Sequence, residues 1–185
     1  MKNLQMYCIS LNPSHLDLIK NTGYAPVGLG DKDFSSEWLI DKTKNNISLK
    51  NNFYGEYTFH YWLWKNNKIE SKGWVGFCQY RKFWKKDFNN FKVSNFKEFN
   101  NIILKEIPEN LSKYDTILGE NYFINQFRFS KFIKRNLKVM ALQPSLFFNK
   151  KKRTLKFHFD MMHGQGNLNK AIQVLNKKDK EDFND

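Results

Sequence analysis

Four small groups of residues carry the chemistry that this 185-residue chain can offer. The first lies in FYGEYTFHYWLWKN, residues 53 to 66, where Glu56, His60 and Lys65 stand in an otherwise aromatic stretch. At helical spacing Glu56 and His60 are four apart and can meet. The second is Tyr80-Arg81-Lys82, which follows an apolar run. A guanidinium there suits a diphosphate, because its planar fork binds phosphate oxygens in pairs; the alternative is an ion pair at a strand end, with Glu56 as partner. The third is GLGDKDF: Gly28 and Gly30 can let the backbone approach a phosphate or ribose, and Asp31 and Asp33 form a DxD pair able to hold a cation. An ordinary turn explains the same residues. The fourth is FHFDMMHGQGNL, where His158, Asp160 and His163 are close enough to share a site. Asp160 is there a general base or an oxygen ligand to a divalent ion, or else a cap in a turn that Gly164 ends.

The elements that must hold these groups follow from periodicity and punctuation. Leu4 to Leu11 reads as a strand, Asn12-Pro13-Ser14 as a turn with Ser14 as a helix cap, and the segment from His15 as a short helix ended by Gly23. YAPVGLGDKDF reads as a strand or extended loop, Ser35 to Lys42 as another short helix, and the segment around Ile47 and Ser48 as a polar loop. Within 53–66, Tyr54, Thr58, Tyr61 and Lys65 share one helical face, and Phe53, Tyr57, His60 and Trp64 a neighbouring one. A helix apolar on most sides is expected to be buried, with Glu56 and Lys65 at its ends or facing a polar cavity. Trp74 to Trp84 reads as a buried strand whose charge arrives only at Arg81 and Lys82, the pattern of a central parallel strand ending at the carboxyl edge of a sheet, where open α/β sheets bind ligands. Beyond it come a polar Asn/Lys-rich stretch with one helical piece, EFNNIILKEI, a short strand at Tyr114–Leu118, a basic aromatic segment from Asn121 to Met140 that is helical in part, and a terminal amphipathic helix over LNKAIQVLNKKDKEDF with Leu168, Ala171, Ile172 and Leu175 on one face. The order of strands and helices predicts an α/β domain with a mostly parallel sheet.

Composition narrows the classes. No apolar run approaches the roughly 20 residues of a membrane span, and the amino terminus is too polar for a signal peptide, so the expected compartment is the cytoplasm. Cys8 and Cys78 lie in strand-like runs and read as reduced core thiols; no Cys/His spacing points to zinc, and no Walker loop or Ser/His/Asp pattern is present. The net charge of +13 favours an anionic partner, whether nucleic acid, nucleotide or an anionic membrane surface, unless it is simply a lysine-rich surface.

Two blocks together resemble a bacterial family of capsular-polysaccharide and lipopolysaccharide glycosyltransferases. NNISLKNNFYGEYTFHYWLWKN is similar to that family's NIS-x-KN…E-x-T-x-x-YW-x-WKN pattern through Asn46, Ile47, Ser48, Glu56, Tyr61 and Lys65 among others. GWVGFCQYRKFW is similar to its G-x-x-HYRR block through Gly76, Tyr80, Arg81 and Phe83; Gln79 and Lys82 stand where the family usually has His and Arg, so the resemblance implies that a His-dependent step at that point would be missing here. PVGLGD and FDMMHG-x-GNL also look like the family's. The resemblance implies a GT-A-like, Rossmann-type nucleotide-sugar-binding fold in one domain over 1–185. Residues 1–84 would be its nucleotide-sugar-binding core, 85–156 a variable basic and aromatic segment, and 157–185 the FDMMHG motif and terminal helix. Members usually continue beyond that helix, so the chain is expected to lack a carboxyl-terminal part. The implied activity moves a sugar from a nucleotide-sugar to a growing glycan or lipid-linked acceptor, at the cytoplasmic face of the inner membrane. Arg81, Lys82, Lys65, Tyr80, Tyr61, Gly28 and Asp31 would hold the donor; Asp160, Glu56 and His163 are the catalytic candidates; and Mg²⁺ or Mn²⁺ would be held by Asp160 or by Asp31 and Asp33. Two other readings stand beside it. One is a basic nucleic-acid-binding module, disfavoured because the most aromatic segment reads as buried. The other is an inactive, truncated glycosyltransferase fragment.

Overall fold

A computed structural model describes residues 3–69, 73–86, 92–119, 141–142 and 144–184. The chain divides into two compact units, Met1–Gly119 and Glu120–Asp185.

The first unit is built on four parallel strands: β1 (Leu4–Ser10), β2 (Ala25–Gly28), β3 (Leu39–Ile40) and β4 (Trp74–Gln79), in the order β3-β2-β1-β4. Tyr7 pairs with Ala25 on one side of β1 and with Phe77 on the other. Alternation along β1 sorts the core. Met6 and Cys8 face a layer with Ile19, Tyr24 and Ile103, while Tyr7 and Ile9 face one with Phe59, Trp62 and Leu63. The first layer is closed by α1 (Leu16–Thr22), which Gly23 ends in the left-handed conformation at φ 81°. Segment 84–86 crosses back to 102–104, after α4 (Phe96–Ile102), through the Leu104 N–H to Trp84 O and Lys86 N–H to Ile102 O bonds, both 2.9 Å. The second layer is closed by α2 (Asn51–Tyr54) and α3 (Tyr57–Lys65). Helices on both faces of a parallel sheet make this an α/β fold compatible with a Rossmann-like architecture. Gly76 serves that packing: a Cβ on it would lie 2.1 Å from Met6 Sδ. Cys8 and Cys78 are both free and buried, opposite each other in the register, and the hydrogen bond between the Cys78 and Cys8 side chains, with burial, pushes the Cys78 thiol pKa up, which keeps it protonated.

Several sequence expectations need correction. Ser35 to Lys42 is not a helix: Trp38 closes a turn on Ser35, and Leu39 and Ile40 pair with Val27 and Gly28 as β3. Asn12, not Ser14, caps the segment after β1, its Oδ1 accepting from Ser14 N–H at 3.2 Å. The 53–66 stretch is two helices, because Gly55 at φ 55° and ψ −130° breaks it. Nor is it buried all round: Phe59 and Trp62 are covered, whereas Phe53, Tyr57 and Trp64 are 87%, 65% and 62% exposed. β4 ends at Gln79 rather than Trp84, and among the described residues it pairs only with β1, so β1 is the central strand of the two. Tyr114 to Leu118 forms no strand. The expected helix within Asn121–Met140 lies outside the described residues.

The second unit contains α5 (Ser145–Phe148), α6 (Leu155–His163), α7 (Asn167–Gln173) and α8 (Lys177–Asn184). Thr154 starts α6, its hydroxyl accepting from Phe157 N–H, and Gly164 ends it. The single terminal helix expected from the sequence is broken after Gln173, and Val174 is exposed there. Among the described residues no helix is long and apolar enough to cross a membrane.

Candidate functional site

In a parallel sheet all strands leave at one edge, and the chain reverses direction across the sheet where a strand is laid on the other side of its predecessor. Here β2 and β3 extend the sheet to one side of β1 and β4 to the other, so the reversal lies between β1 and β4. What stands at the exits of those strands is the candidate site.

At the exit of β1, Ser10 is buried and its Oγ accepts the Asn12 N–H at 3.0 Å. The same oxygen lies 2.8 Å from His15 Nδ1 and 3.3 Å from Asn12 O. A hydroxyl has one proton. That proton serves one of two acceptors: Nδ1, with Nε2 then carrying the ring hydrogen, or Asn12 O, with Nδ1–H then donating to the second lone pair of Oγ. Pro13 at the first position of the one-turn helix Pro13–His15 and the His15 N–H to Asn12 O bond fix the ring's backbone. The ring stacks on Tyr80 from the exit of β4, with centroids 4.0 Å apart and planes at 26°.

At the exit of β4 a tight turn closes through Lys82 N–H to Gln79 O at 2.9 Å, with Tyr80 and Arg81 at its tip. Tyr80 N–H donates to Ile9 O at 3.1 Å, so its ring is anchored by the sheet itself. Arg81 is exposed, its guanidinium carbon 5.7 Å from the Tyr80 ring centre. Gln79 Nε2 donates to Glu56 Oε2 at 2.8 Å, which ties the residue preceding α3 to the strand end. Beside the turn an open cleft of about 460 Å³ is lined by Leu18, Tyr80, Arg81, Asn95 and Phe96. A larger hollow of about 850 Å³ lies against Leu4, Met6, Trp74, Trp84 and Ile117, and among the described residues the only charged side chain on its wall is Asp115.

At the exit of β2, Leu29 N–H donates to Ser10 O, and Gly30 has φ 85°. Gly28 has a packing role: a Cβ there would lie 2.4 Å from the Phe34 ring. Asp31 and Asp33 are exposed after it. At the exit of β3, Asp41 is 1% exposed and its Oδ2 has no hydrogen-bond partner.

The structure therefore brings Tyr80, Arg81, Lys82 and Glu56 to one sheet edge. It takes Lys65 to the other. α3 runs from the Glu56–Gln79 contact toward Lys68, which lies beside Asn3 and Gly73 at the strand starts. At about 1.5 Å per helical residue, Lys65 is about 13 Å along the axis from Glu56. Its ammonium lies 3.9 Å from the Trp64 ring centre and 5.8 Å from that of Tyr61, both outside the strand-exit cluster. His60 does not partner Glu56 by a hydrogen bond. Its ring packs 4.1 Å from Phe77, Nε2 is buried without a partner, and burial lowers its pKa against the weaker opposing pull of Glu56.

Asp160 and His163 belong to the second unit, both on α6. Asp160 is buried in the body of the helix rather than capping a turn, with Oδ1 lacking a partner, and the exposed His163 ends the helix with its ring 4.5 Å from that of Phe159. His158, on the same helix, has its pKa lowered by burial and then by Arg153. Sequence reasoning missed Ser10, His15 and Asp41 as site residues. The signal for Asp41 is a carboxylate directly after a short apolar run; that for His15 is its position just after a strand, which becomes informative only once Tyr80 is placed beside it. Among the described residues no three His, Cys, Asp or Glu side chains gather as a metal-binding group.

A model of one protein family, a domain of unknown function designated DUF4422, matches residues 8–185. No curated protein matches, and no solved structure does.

Proposed function

The chain belongs to the DUF4422 family, and we propose that it is a glycosyltransferase that takes a sugar from a nucleotide-sugar and adds it to a growing capsular or lipopolysaccharide glycan. The observation that carries the reading is the meeting of His15, Tyr80 and Arg81 at the reversal point between β1 and β4, the place where open α/β sheets receive nucleotides. The resemblance of the Glu56–Lys65 and Gly76–Phe83 blocks to glycosyltransferases supports the same reading.

In this reading the diphosphate lies at the strand exits. Arg81 and the Nε2–H of His15 donate to its oxygens, Lys82 adds charge, and the positive-φ backbone at Gly30 leaves room for close approach. A hydroxyl of the acceptor attacks the anomeric carbon through an oxocarbenium-like transition state. The new oxygen–carbon bond forms as the bond from that carbon to the diphosphate breaks, and the nucleoside diphosphate leaves with the bonding pair. The hydroxyl proton passes to Glu56, which Gln79 holds at the sheet edge. Arg81 and His15 stabilise charge that grows on the leaving oxygen.

The test is thermal stabilisation by a panel of nucleotide-sugars. A donor present at about a hundred times its dissociation constant adds about 2.7 kcal/mol, which at about 2–4 °C per kcal/mol for a chain of this size raises Tm by about 5–11 °C. A panel in which no nucleotide-sugar or nucleoside diphosphate moves Tm would overturn the reading.

A further inference from the structure

The exposed side of α3 has no role in the site described above. On a nine-residue helix, Tyr57, Tyr61, Trp64 and Lys65 fall on one stripe, opposite the Phe59, Trp62 and Leu63 side that covers the sheet. The stripe is continuous: the Tyr61 and Trp64 rings meet edge to face at 5.9 Å, and Lys65 lies over both. The elements just before α3, packed against it, add Leu49 at 97% exposure and Phe53 at 87%. So much exposed apolar and aromatic surface in one place marks an interaction site. Charge says what kind. Between residues 42 and 68 the chain has five lysines, Lys42, Lys44, Lys50, Lys65 and Lys68, against one acid, Glu56, and that carboxylate is turned to Gln79.

We propose that this aromatic and lysine-flanked face is a docking surface for an anionic lipid bilayer. Tyr and Trp suit the headgroup level, where an apolar body and a polar tip are both satisfied. Lysines around them are drawn to anionic lipid. Single-stranded nucleic acid has the same charge but needs open ring faces on which bases stack. Here Lys65 covers the Trp64 face, and the Tyr57–His60 and Tyr61–Trp64 pairs meet at 86° and 81°, so the rings present edges on a convex helix rather than a platform in a groove. The inference rests on this surface and not on sugar transfer; loss of nucleotide binding would leave it standing.

The test is flotation of the 185-residue chain with vesicles of phosphatidylcholine alone and with added phosphatidylglycerol. Binding to the anionic vesicles is expected to exceed that to the neutral ones by about tenfold or more. The F53S/Y57S/W64S variant, altered only at exposed positions and checked by circular dichroism, should bind at least about tenfold more weakly. Lys65→Ala should lose about fivefold, as one lysine near an anionic surface contributes, while Lys97→Ala on α4 should change binding by less than about twofold. No flotation of the wild type on anionic vesicles overturns the proposal. So does equal flotation of the triple variant, which would assign binding to diffuse charge. Tight binding of an oligothymidylate, lost in the triple variant, would assign the face to nucleic acid instead.

Discussion

Replacing His15 separates what that ring does for the fold from what it does for a ligand. His15→Ala removes a 4.0 Å stack on Tyr80 and a 2.8 Å contact to Ser10 Oγ. The stack is worth about 0.5–1.5 kcal/mol, and the hydrogen bond about the same. Ser10 is not orphaned, because Asn12 N–H still donates to it and Asn12 O can accept its proton; no further desolvation cost is added. The sum is about 1–3 kcal/mol, or about 2–12 °C in Tm by scanning fluorimetry. If Nε2–H also donates to a diphosphate, the same variant loses a charge-assisted bond of about 1.5–3 kcal/mol, a rise of about 10- to 150-fold in donor Kd by calorimetry. The two conservative variants divide these effects. The amide of His15→Asn reaches the Nδ1 position and should recover stability without affinity; that of His15→Gln reaches the Nε2 position and should recover affinity without the full stability. A His15→Ala variant whose Tm falls by less than about 1 °C refutes the Ser10–His15–Tyr80 support. Equal recovery of affinity by Asn and Gln refutes the role of Nε2.

Arg81→Ala should raise donor Kd by about 10- to 150-fold while leaving the exposed turn folded, with Arg81→Lys recovering only part because it lacks the bidentate fork; unchanged affinity in calorimetry would reject the assignment. Glu56→Gln should keep donor affinity within about twofold and lower the sugar-transfer rate by about 10²- to 10⁴-fold, and a transfer assay at normal rate would remove Glu56 as the base. Gly28→Ala drives a Cβ to 2.4 Å from Phe34 and should cost about 1–3 kcal/mol of stability; a smaller side chain at Phe34 should relieve it, as read by Tm. His60 has its folded pKa lowered from 6.5 by burial. Below that value the unfolded chain binds the extra proton and the folded one does not, so this contribution to stability is full above 6.5 and lost as pH falls from there toward the folded pKa. The slope of Tm between pH 7.5 and 5 should flatten in His60→Gln.

Local patterns were enough for part of this protein. The apolar run Leu4–Leu11, the helix ended by Gly23 and the arrival of charge at Arg81 and Lys82 within the Trp74–Trp84 run predict a mostly parallel α/β sheet and mark Arg81 and Lys82 as residues at its carboxyl edge, because side-chain period and glycine φ are properties of neighbours in the chain. Pairing overrode propensity at Leu39–Ile40, where a partner in β2 drew a short segment into the sheet. The helix with aromatics on all sides could not be oriented from its sequence, since every face scores as apolar; one sheet face covers Phe59 and Trp62 and leaves Tyr57 and Trp64 in solvent. The same holds for the site. Glu56 with Gln79, and His15 with Tyr80, are 23 and 65 residues apart. Only the laying of β4 beside β1 brings those side chains within reach, and no spacing along the chain encodes that contact.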